Sequence, residues 1–367
     1  FDKDFTLPAK IEQDYAPVKQ LSGSMWLARK NDVFEGQLFV IKKCMNPFES
    51  ADRAKRLLRE LHLLRTIRHE NIVRLIGTYS VAEEDGRKAI YHITEYAGVS
   101  MDNHIVRGDY TMELVKRWTR EMIIAVQNMH SNGIIHGDLH PENICINGDN
   151  KLTLLDFGRT PIHQAMHSES CVNTYSPIEL IIEMRGGYDE KVDIWSITAI
   201  LFHLITGTSL FNEGDDLIKQ QIQYLRPVDV KIMEKARFAQ VSYNEMYFQI
   251  ANSDGRKSFR KYLEAAPNDA NSKTAFIALM RDRLECQPPR GITEENVADE
   301  TNNLRDFIDK NFQFDPDRRM STARALSHPL LHPHPPWVRG VPEEDELALP
   351  ILELRIRQEL EMAPLPE

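Results

Sequence analysis

The stretch Ile134-Ile135-His136-Gly137-Asp138-Leu139-His140-Pro141-Glu142-Asn143-Ile144-Cys145-Ile146 restricts this chain more than any other. It sets one carboxylate, Asp138, five positions before one amide, Asn143, between an apolar lead-in and an apolar, strand-like exit. Such an arrangement holds two oxygen-bearing side chains over one site. Taken alone it reads equally as a surface turn followed by a strand.

A second stretch, Leu154-Leu155-Asp156-Phe157-Gly158, gives the first its meaning. Between the two lie Ile144-Cys145-Ile146, the turn formers Asn147-Gly148-Asp149-Asn150, and Leu152-Thr153-Leu154-Leu155, which together predict a hairpin. A hairpin returns the chain to its starting point, so Asp156 is expected beside Asp138 and Asn143. One amide with two carboxylates is the hard-oxygen set that magnesium on a nucleotide requires. Gly158 lets the backbone turn sharply just after the ligand. The first stretch resembles the protein-kinase pattern H-R-D-L-x-x-x-N, a resemblance that implies Asp138 accepts the proton of an attacking hydroxyl and Asn143 holds magnesium, with Asp156 the expected second ligand.

Size and composition allow such a site. The chain has 367 residues, 42% of them hydrophobic, enough for one large domain or two lobes. Cys44, Cys145, Cys171 and Cys286 are widely separated with no C-x-x-C pair. They suggest neither a zinc site nor a disulfide framework, and reduced thiols in a cytoplasmic or nuclear protein are the simplest reading. The formal net charge of -10 argues against a general nucleic-acid binder and favours basic partner peptides. The apolar run Ile194 to Ile205 is too short for a membrane span and is interrupted by Ser196, Thr198 and His203. No secretory signal opens the sequence as it begins at Phe1.

Along the chain, two strand-like runs surround a turn between Tyr15 and Lys43, with Trp26-Leu27-Ala28 before Asn31-Asp32 and Leu38-Phe39-Val40-Ile41 after Gly36. Lys42 closes the second run, as either a snorkelling surface residue or a phosphate contact. From Ala51 to His69, Ala54, Leu57, Leu58, Leu61 and Leu64 predict one buried helical stripe, with Glu60 beside it and in position to reach Lys42. Ala89-Ile90-Tyr91-His92-Ile93-Thr94 reads as a strand. Met112 to His130 predicts a long amphipathic helix ended by Gly133. Ile194 to Ile205 predicts a helix buried on every side, with Asp193 at its start capping backbone amides and bracing the catalytic stretch.

Lys42, Glu60, Asp138, Asn143 and Asp156-Phe157-Gly158 stand in the order and spacing of eukaryotic protein kinases, and Val192-Asp193-Ile194-Trp195-Ser196 extends the likeness. Within that superfamily the chain most resembles the MAP kinases, particularly the stress-activated, osmosensing branch. The likeness runs from about residue 5 to about 335, through Asn46-Pro47-Phe48, Arg59-Glu60-Leu61, His69-Glu70-Asn71 and Phe314-Asp315-Pro316-Asp317-Arg318-Arg319. It implies an α+β, two-lobed fold: a small antiparallel sheet lobe with one main helix over 1–94, a hinge at 95–98, and a mostly helical lobe over 99–335. An extension occupies 336–367. ATP and Mg2+ are the implied cofactors. Lys42, held by Glu60, would position phosphates, and Val18, Gly23, Trp26, Val40, Thr94 and the backbone of Glu95 and Ala97 would line the nucleotide pocket. The resemblance further implies a Glu179–Arg319 pair locking the large lobe.

The sequence departs from this pattern at four places. Only Gly23 stands where the phosphate-covering loop carries three glycines, Gly137 replaces the Arg of H-R-D, and His140 replaces a Lys. In the activation segment, His167-Ser168-Glu169 takes the place of Thr-x-Tyr. Ser168 and Ser170 are candidate phosphorylation sites there, Glu169 a fixed negative charge, and a solvated loop the plain alternative. His140 stays a candidate donor to the γ-phosphate. Ser176-Pro177-Ile178-Glu179 lacks the Arg that shapes a substrate-proline pocket. Near the end, Glu343, Glu344, Asp345 and Glu346 form an acid run, read either as solvated surface or as a docking patch for basic peptides of substrates and an upstream kinase. Leu347 to Met362 reads as an amphipathic helix.

The sequence therefore predicts a monomeric, MAP-kinase-like serine/threonine kinase in intracellular stress signalling. The alternative is a pseudokinase scaffold with little turnover. A small-molecule phosphotransferase is a third reading, on the His-Gly-Asp-Leu-His likeness alone.

Overall fold

The computed structural model describes residues 7–31, 37–82, 87–158, 160, 172–181, 187–212, 217, 220–221 and 297–331. Several expectations lie outside these residues: the turn at Asp32 and Gly36, Cys171 and Cys286, Ser168, Glu169 and Ser170, most of the segment 219–303, the acid run Glu343 to Glu346, and the helix over 347–362.

The N-terminal part is a five-stranded antiparallel sheet of β1 (Tyr15–Ser22), β2 (Met25–Lys30), β3 (Leu38–Cys44), β4 (Leu75–Ala82) and β5 (Lys88–Glu95), in the order β1-β2-β3-β5-β4. Its strands alternate, and the alternation decides which residues can meet a ligand. Trp26, Ala28, Phe39, Ile41, Ala89, Tyr91 and Ile93 point to one face, where Leu7, Ile11 and Tyr15 close a small apolar core. The opposite face carries Met25 across from Lys42, Leu27 across from Val40, His92 across from Lys42 and Thr94 across from Val40.

One long helix, α2 (Ala51–Thr66), follows β3; α1 is the short turn Ala9–Glu12. Ser50 caps α2, its hydroxyl accepting from the Arg53 amide at 3.2 Å. Its buried residues are Glu60, Leu63 and Leu64, so the acid lies within the buried stripe rather than beside it. Leu58, expected in that stripe, is 68% exposed: helical spacing puts it off the face that carries Glu60 and Leu64.

The larger part is mainly helical. After the short strand β6 (Val99–Ser100) and α3 (Met101–Arg107) come α4 (Met112–Ser131), the hairpin β7 (Ile144–Ile146) and β8 (Leu152–Leu154), α5 (Ile178–Ile181), α6 (Lys191–Thr206), α7 (Val297–Asn311) and α8 (Thr322–Leu326). The predicted hairpin forms, antiparallel, with Ile144 opposite Leu154. Trp118 of α4 and Trp195 of α6 are fully buried in one apolar core with Phe202, Phe211 and Phe307. Each such aromatic contributes about 3–5 kcal/mol by the usual cost of truncation. As its composition predicts, α6 is buried almost all round, with Gly207 ending it at φ +68°. Among the described residues, no helix is long and apolar enough to cross a membrane.

Glu179 and Arg319 meet as expected. Both side chains are fully buried, Nη1 and Nη2 of Arg319 both bond the carboxylate, the second at 2.8 Å, and the guanidinium lies 4.9 Å over the Trp195 ring. The two-pronged geometry and the aromatic face together make this burial of charge tolerable.

Candidate active site

The hairpin's register builds the site. The Leu155 amide donates to the Asn143 carbonyl at 2.8 Å, which sets Asp156 next to the catalytic stretch. Asn143 in turn donates from Nδ2 to the Asp138 carbonyl at 3.0 Å, leaving its Oδ1 as the acceptor this amide can offer elsewhere. Asp156 adopts φ +54°, a left-handed conformation unusual for a side-chain-bearing residue. Its own Oδ1 accepts from the Gly158 amide at 3.2 Å, a local turn that offsets the strain.

On the other side, Lys42 Nζ lies 3.0 Å from Glu60 Oε1 and 3.7 Å from Asp156 Oδ2. Sheet, helix and hairpin thus converge on one amine. Burial would lower the Lys42 pKa, but Glu60 and then Asp156 outweigh it and the amine is held above its ordinary value. It is a fixed positive charge at any physiological pH.

The catalytic stretch is braced from below. Asp193 accepts from the His136 amide at 2.9 Å, the Gly137 amide at 2.8 Å, and His130 Nε2 at 2.8 Å. Burial would raise its pKa; the His130 bond and these partners reverse that and hold the carboxyl below its usual range. Its predicted bracing role is therefore visible, whereas the predicted capping of its own helix is not: Asp193 is the third residue of α6, and its oxygens face the loop. Gly137 has φ +74°, a conformation that a glycine takes without strain. The His136 ring bonds the Leu155 carbonyl at 3.1 Å and lies 5.2 Å from the Phe157 ring, tying both motifs to the core.

Asp138 is buried, with His140 Nε2 at 4.0 Å from its Oδ1. A second neighbour was not anticipated from the sequence: Asn173 Nδ2 donates to the same oxygen at 3.2 Å. Nothing in the local pattern around Asn173 marks it, because its role comes from a contact across 35 positions.

The remaining pocket residues divide by strand face. Val40 and Thr94 share the face that carries Lys42. Trp26 does not: it pairs with Ile41, is 9% exposed and packs 6.4 Å from the Tyr91 ring in the opposite core. The expectation that Trp26 touches the nucleotide is therefore corrected. Counting by twos from Lys42 across the ladder assigns that face to Met25 and Leu27 instead. Val18 lies at a bulge in β1 and is 43% exposed. Gly23 and Ser24 alone join β1 to β2, and the Ser24 carbonyl accepts from the Lys43 amide at 2.7 Å. No positive φ or close neighbour requires glycine at Gly23, so a tight hairpin turn stands in place of a glycine-lined loop. At the connector, the Glu95 amide donates to the Arg74 carbonyl at 3.2 Å and the Tyr96 amide to the Leu38 carbonyl at 3.0 Å. Gly98, at φ +106°, passes so close to β7 that a Cβ there would lie 2.0 Å from the Ile146 carbonyl oxygen.

A family model for the protein kinase domain matches residues 22–331. The chain belongs to the protein kinase family. Its relatives place this kinase near the stress-activated MAP kinases, as a divergent member. It is 29% identical over 308 residues to the stress-activated protein kinase jnk-1 of Caenorhabditis elegans, covering 82% of this chain and 60% of the nematode protein. It is 29% identical over 331 residues to the mitogen-activated protein kinase p38a of Drosophila melanogaster, covering 88% of this chain and 79% of the fly protein. The HOG1A kinase of Wallemia ichthyophaga is likewise 29% identical, over 313 residues, covering 84% of this kinase and 74% of that protein.

ATP is the substrate that a protein kinase domain implies. The donor set fits a magnesium nucleotide: Asn143 and Asp156 offer oxygen ligands in adjacent segments, with the Lys42 amine beside them. Among the described residues no group of three or more His, Cys, Asp or Glu side chains could hold a metal ion by itself. Magnesium suits such a sparse site, since it commonly keeps few protein ligands and takes the rest from phosphates and water.

Proposed function

We propose that this kinase transfers the ATP γ-phosphoryl group to serine or threonine of protein substrates, as a MAP-kinase-type enzyme in intracellular stress signalling. The observation that carries this reading is the position of Lys42 Nζ, between Glu60 at 3.0 Å and Asp156 at 3.7 Å. An amine held there by one acid and placed beside a second is poised for phosphates and their metal. Asp138 orients the substrate hydroxyl and accepts its proton, steadied by Asn173 and with His140 close by. Asn143 and Asp156 would hold magnesium, which would supply positive charge against the charge developing on the transferred phosphoryl group. Val40, Thr94 and the backbone of Glu95 and Ala97 receive the adenine, with Leu27 added to that surface.

Substrates and an upstream kinase dock, in this proposal, through the acid run Glu343, Glu344, Asp345 and Glu346, and the protein works as a monomer in cytoplasm and nucleus. The small lobe ends near Thr94 and the hinge spans residues 95–98.

One observation favours a second reading, a scaffold with little turnover. The two-residue Gly23-Ser24 turn, tied to Lys43, gives the phosphates little backbone cover. Thermal unfolding with and without Mg-ATP tests the nucleotide binding that the enzymatic reading requires. Binding at a hundredfold excess over Kd adds about 2.7 kcal/mol, and Lys42→Met should abolish the rise. A wild-type protein unmoved by saturating Mg-ATP would overturn the enzymatic reading and favour the scaffold.

A further inference from the structure

We propose that His92 is a positioning residue for the Lys42–Glu60 pair, holding the Glu60 carboxylate in place from inside the sheet. The inference rests on the kinase reading for its effect on nucleotide, and on geometry alone for its effect on α2.

Three strand residues share one face toward α2. Lys42 of β3 stands directly opposite His92 of β5, and Cys44 is two positions beyond Lys42, so alternation brings all three to the same side. Glu60 enters from α2. His92 Nε2 is 3.5 Å from Glu60 Oε1, the same oxygen that Lys42 reaches at 3.0 Å, and His92 Nδ1 is 3.5 Å from Cys44 Sγ. Both His92 and Glu60 are buried.

The proton inventory fits a single arrangement. Burial, then Glu60, pushes the Cys44 thiol up to about 11, so it keeps its proton and can donate toward Nδ1. With Nδ1 as acceptor, the neutral ring carries its proton on Nε2, facing Glu60 Oε1. Burial also keeps the ring neutral by lowering its pKa. One carboxylate oxygen then faces two donors on different strands, the Lys42 amine at 3.0 Å and the ring nitrogen at 3.5 Å. If α2 swings so that Glu60 leaves, Lys42 is not alone in losing a partner: the His92 N–H is stranded in the core, an unfavourable state. α2 is thereby held by a contact built into the sheet as well as by the amine that nucleotide itself engages. An apolar side chain at this position would fill the same space without that coupling.

The test compares His92→Leu, which keeps bulk but removes both nitrogens, with His92→Gln, whose amide restores a donor near the Nε2 position. Hydrogen exchange of α2 amides over residues 57–64 is read on the nucleotide-free protein, and Mg-ATP affinity by titration. His92→Leu is expected to speed exchange there and weaken Mg-ATP by about tenfold, roughly one hydrogen bond to a charged group, with little change in the urea midpoint. His92→Gln is expected to recover most of both. Wild-type exchange and affinity in His92→Leu would overturn the proposal. So would equal impairment in both variants, which would show that ring shape matters and the donor does not. If the wild type binds no Mg-ATP, the kinase reading fails, and the exchange comparison still decides the role of His92.

Discussion

Asn173 Nδ2 donates to Asp138 Oδ1 at 3.2 Å, while its own Oδ1 accepts from the Tyr175 amide at 2.8 Å. The second bond fixes which way the amide faces, so the first is a directed contact on the proposed base. Removing it takes one directed contact from the Asp138 carboxylate and leaves the Lys42–Glu60 pair in place. Asn173→Ala is expected to lower kcat roughly tenfold or more while leaving the KM for ATP nearly unchanged. Asn173→Asp sets a second carboxylate against Asp138 and should lower kcat at least as far. Steady-state kinetics over a pH series checks both, and an unchanged kcat in Asn173→Ala would remove Asn173 from the mechanism.

The two residues Trp26 and Leu27 are neighbours in sequence and opposites in role. Trp26→Ala should lose about 3–5 kcal/mol of stability, since it empties part of the small core. The variant that remains folded should bind Mg-ATP like the wild type. Leu27→Ala should show the reverse pattern, weaker nucleotide binding with a smaller stability loss. Urea unfolding and nucleotide titration on both variants distinguish the faces, and reversed results would show the strand register to be wrong.

His92 gives a pH dependence whose sign follows from its surroundings. Burial and then Lys42 lower its pKa below the ordinary value; Glu60 and Asp156 oppose this and do not win, and Cys44 facing the ring is neutral. The unfolded chain binds a proton at about pH 6.5, where the folded chain does not. Stability from this group is therefore present above about pH 6.5 and lost as pH falls toward the lowered folded value. Urea midpoints measured at intervals from about pH 7.5 to 5.5 should fall less steeply in His92→Gln than in the wild type. Parallel curves would contradict the assignment.

The Glu179–Arg319 pair is the strongest candidate for a purely structural defect. Glu179→Ala leaves the Arg319 guanidinium buried and uncompensated against Trp195, and should destabilise the protein by about 3–5 kcal/mol. Chemical denaturation gives the number directly, and a loss under about 1 kcal/mol would show that water reaches the site.

The fold and the centre of the site were legible because they are written in local patterns. The hairpin from Ile144 to Leu154 follows from its turn formers, α4 and α6 from their apolar spacing, and the Lys42–Glu60 pair from residue order matched to a family. What escaped was information held in three dimensions. The face of Trp26 is not legible locally because an aromatic in a strand is equally at home on either face, and only the pairing of Met25 with Lys42 decides which is which. Spacing alone puts Leu58 in the core, whereas the buried face of α2 runs through Glu60, Leu63 and Leu64. Asn173 and His92 carry no local signature. Each matters through one contact with a residue far along the chain.

The central claim is that Asp138 serves as the base of a phosphoryl transfer drawn on Mg-ATP. Transfer of labelled γ-phosphate to a basic protein substrate tests it most directly, with wild type and Asp138→Ala compared at equal concentration and matched folded fraction. The account predicts measurable transfer by the wild type and a loss of about 10²- to 10⁴-fold in the variant. A wild type that transfers no more phosphate than Asp138→Ala would contradict it.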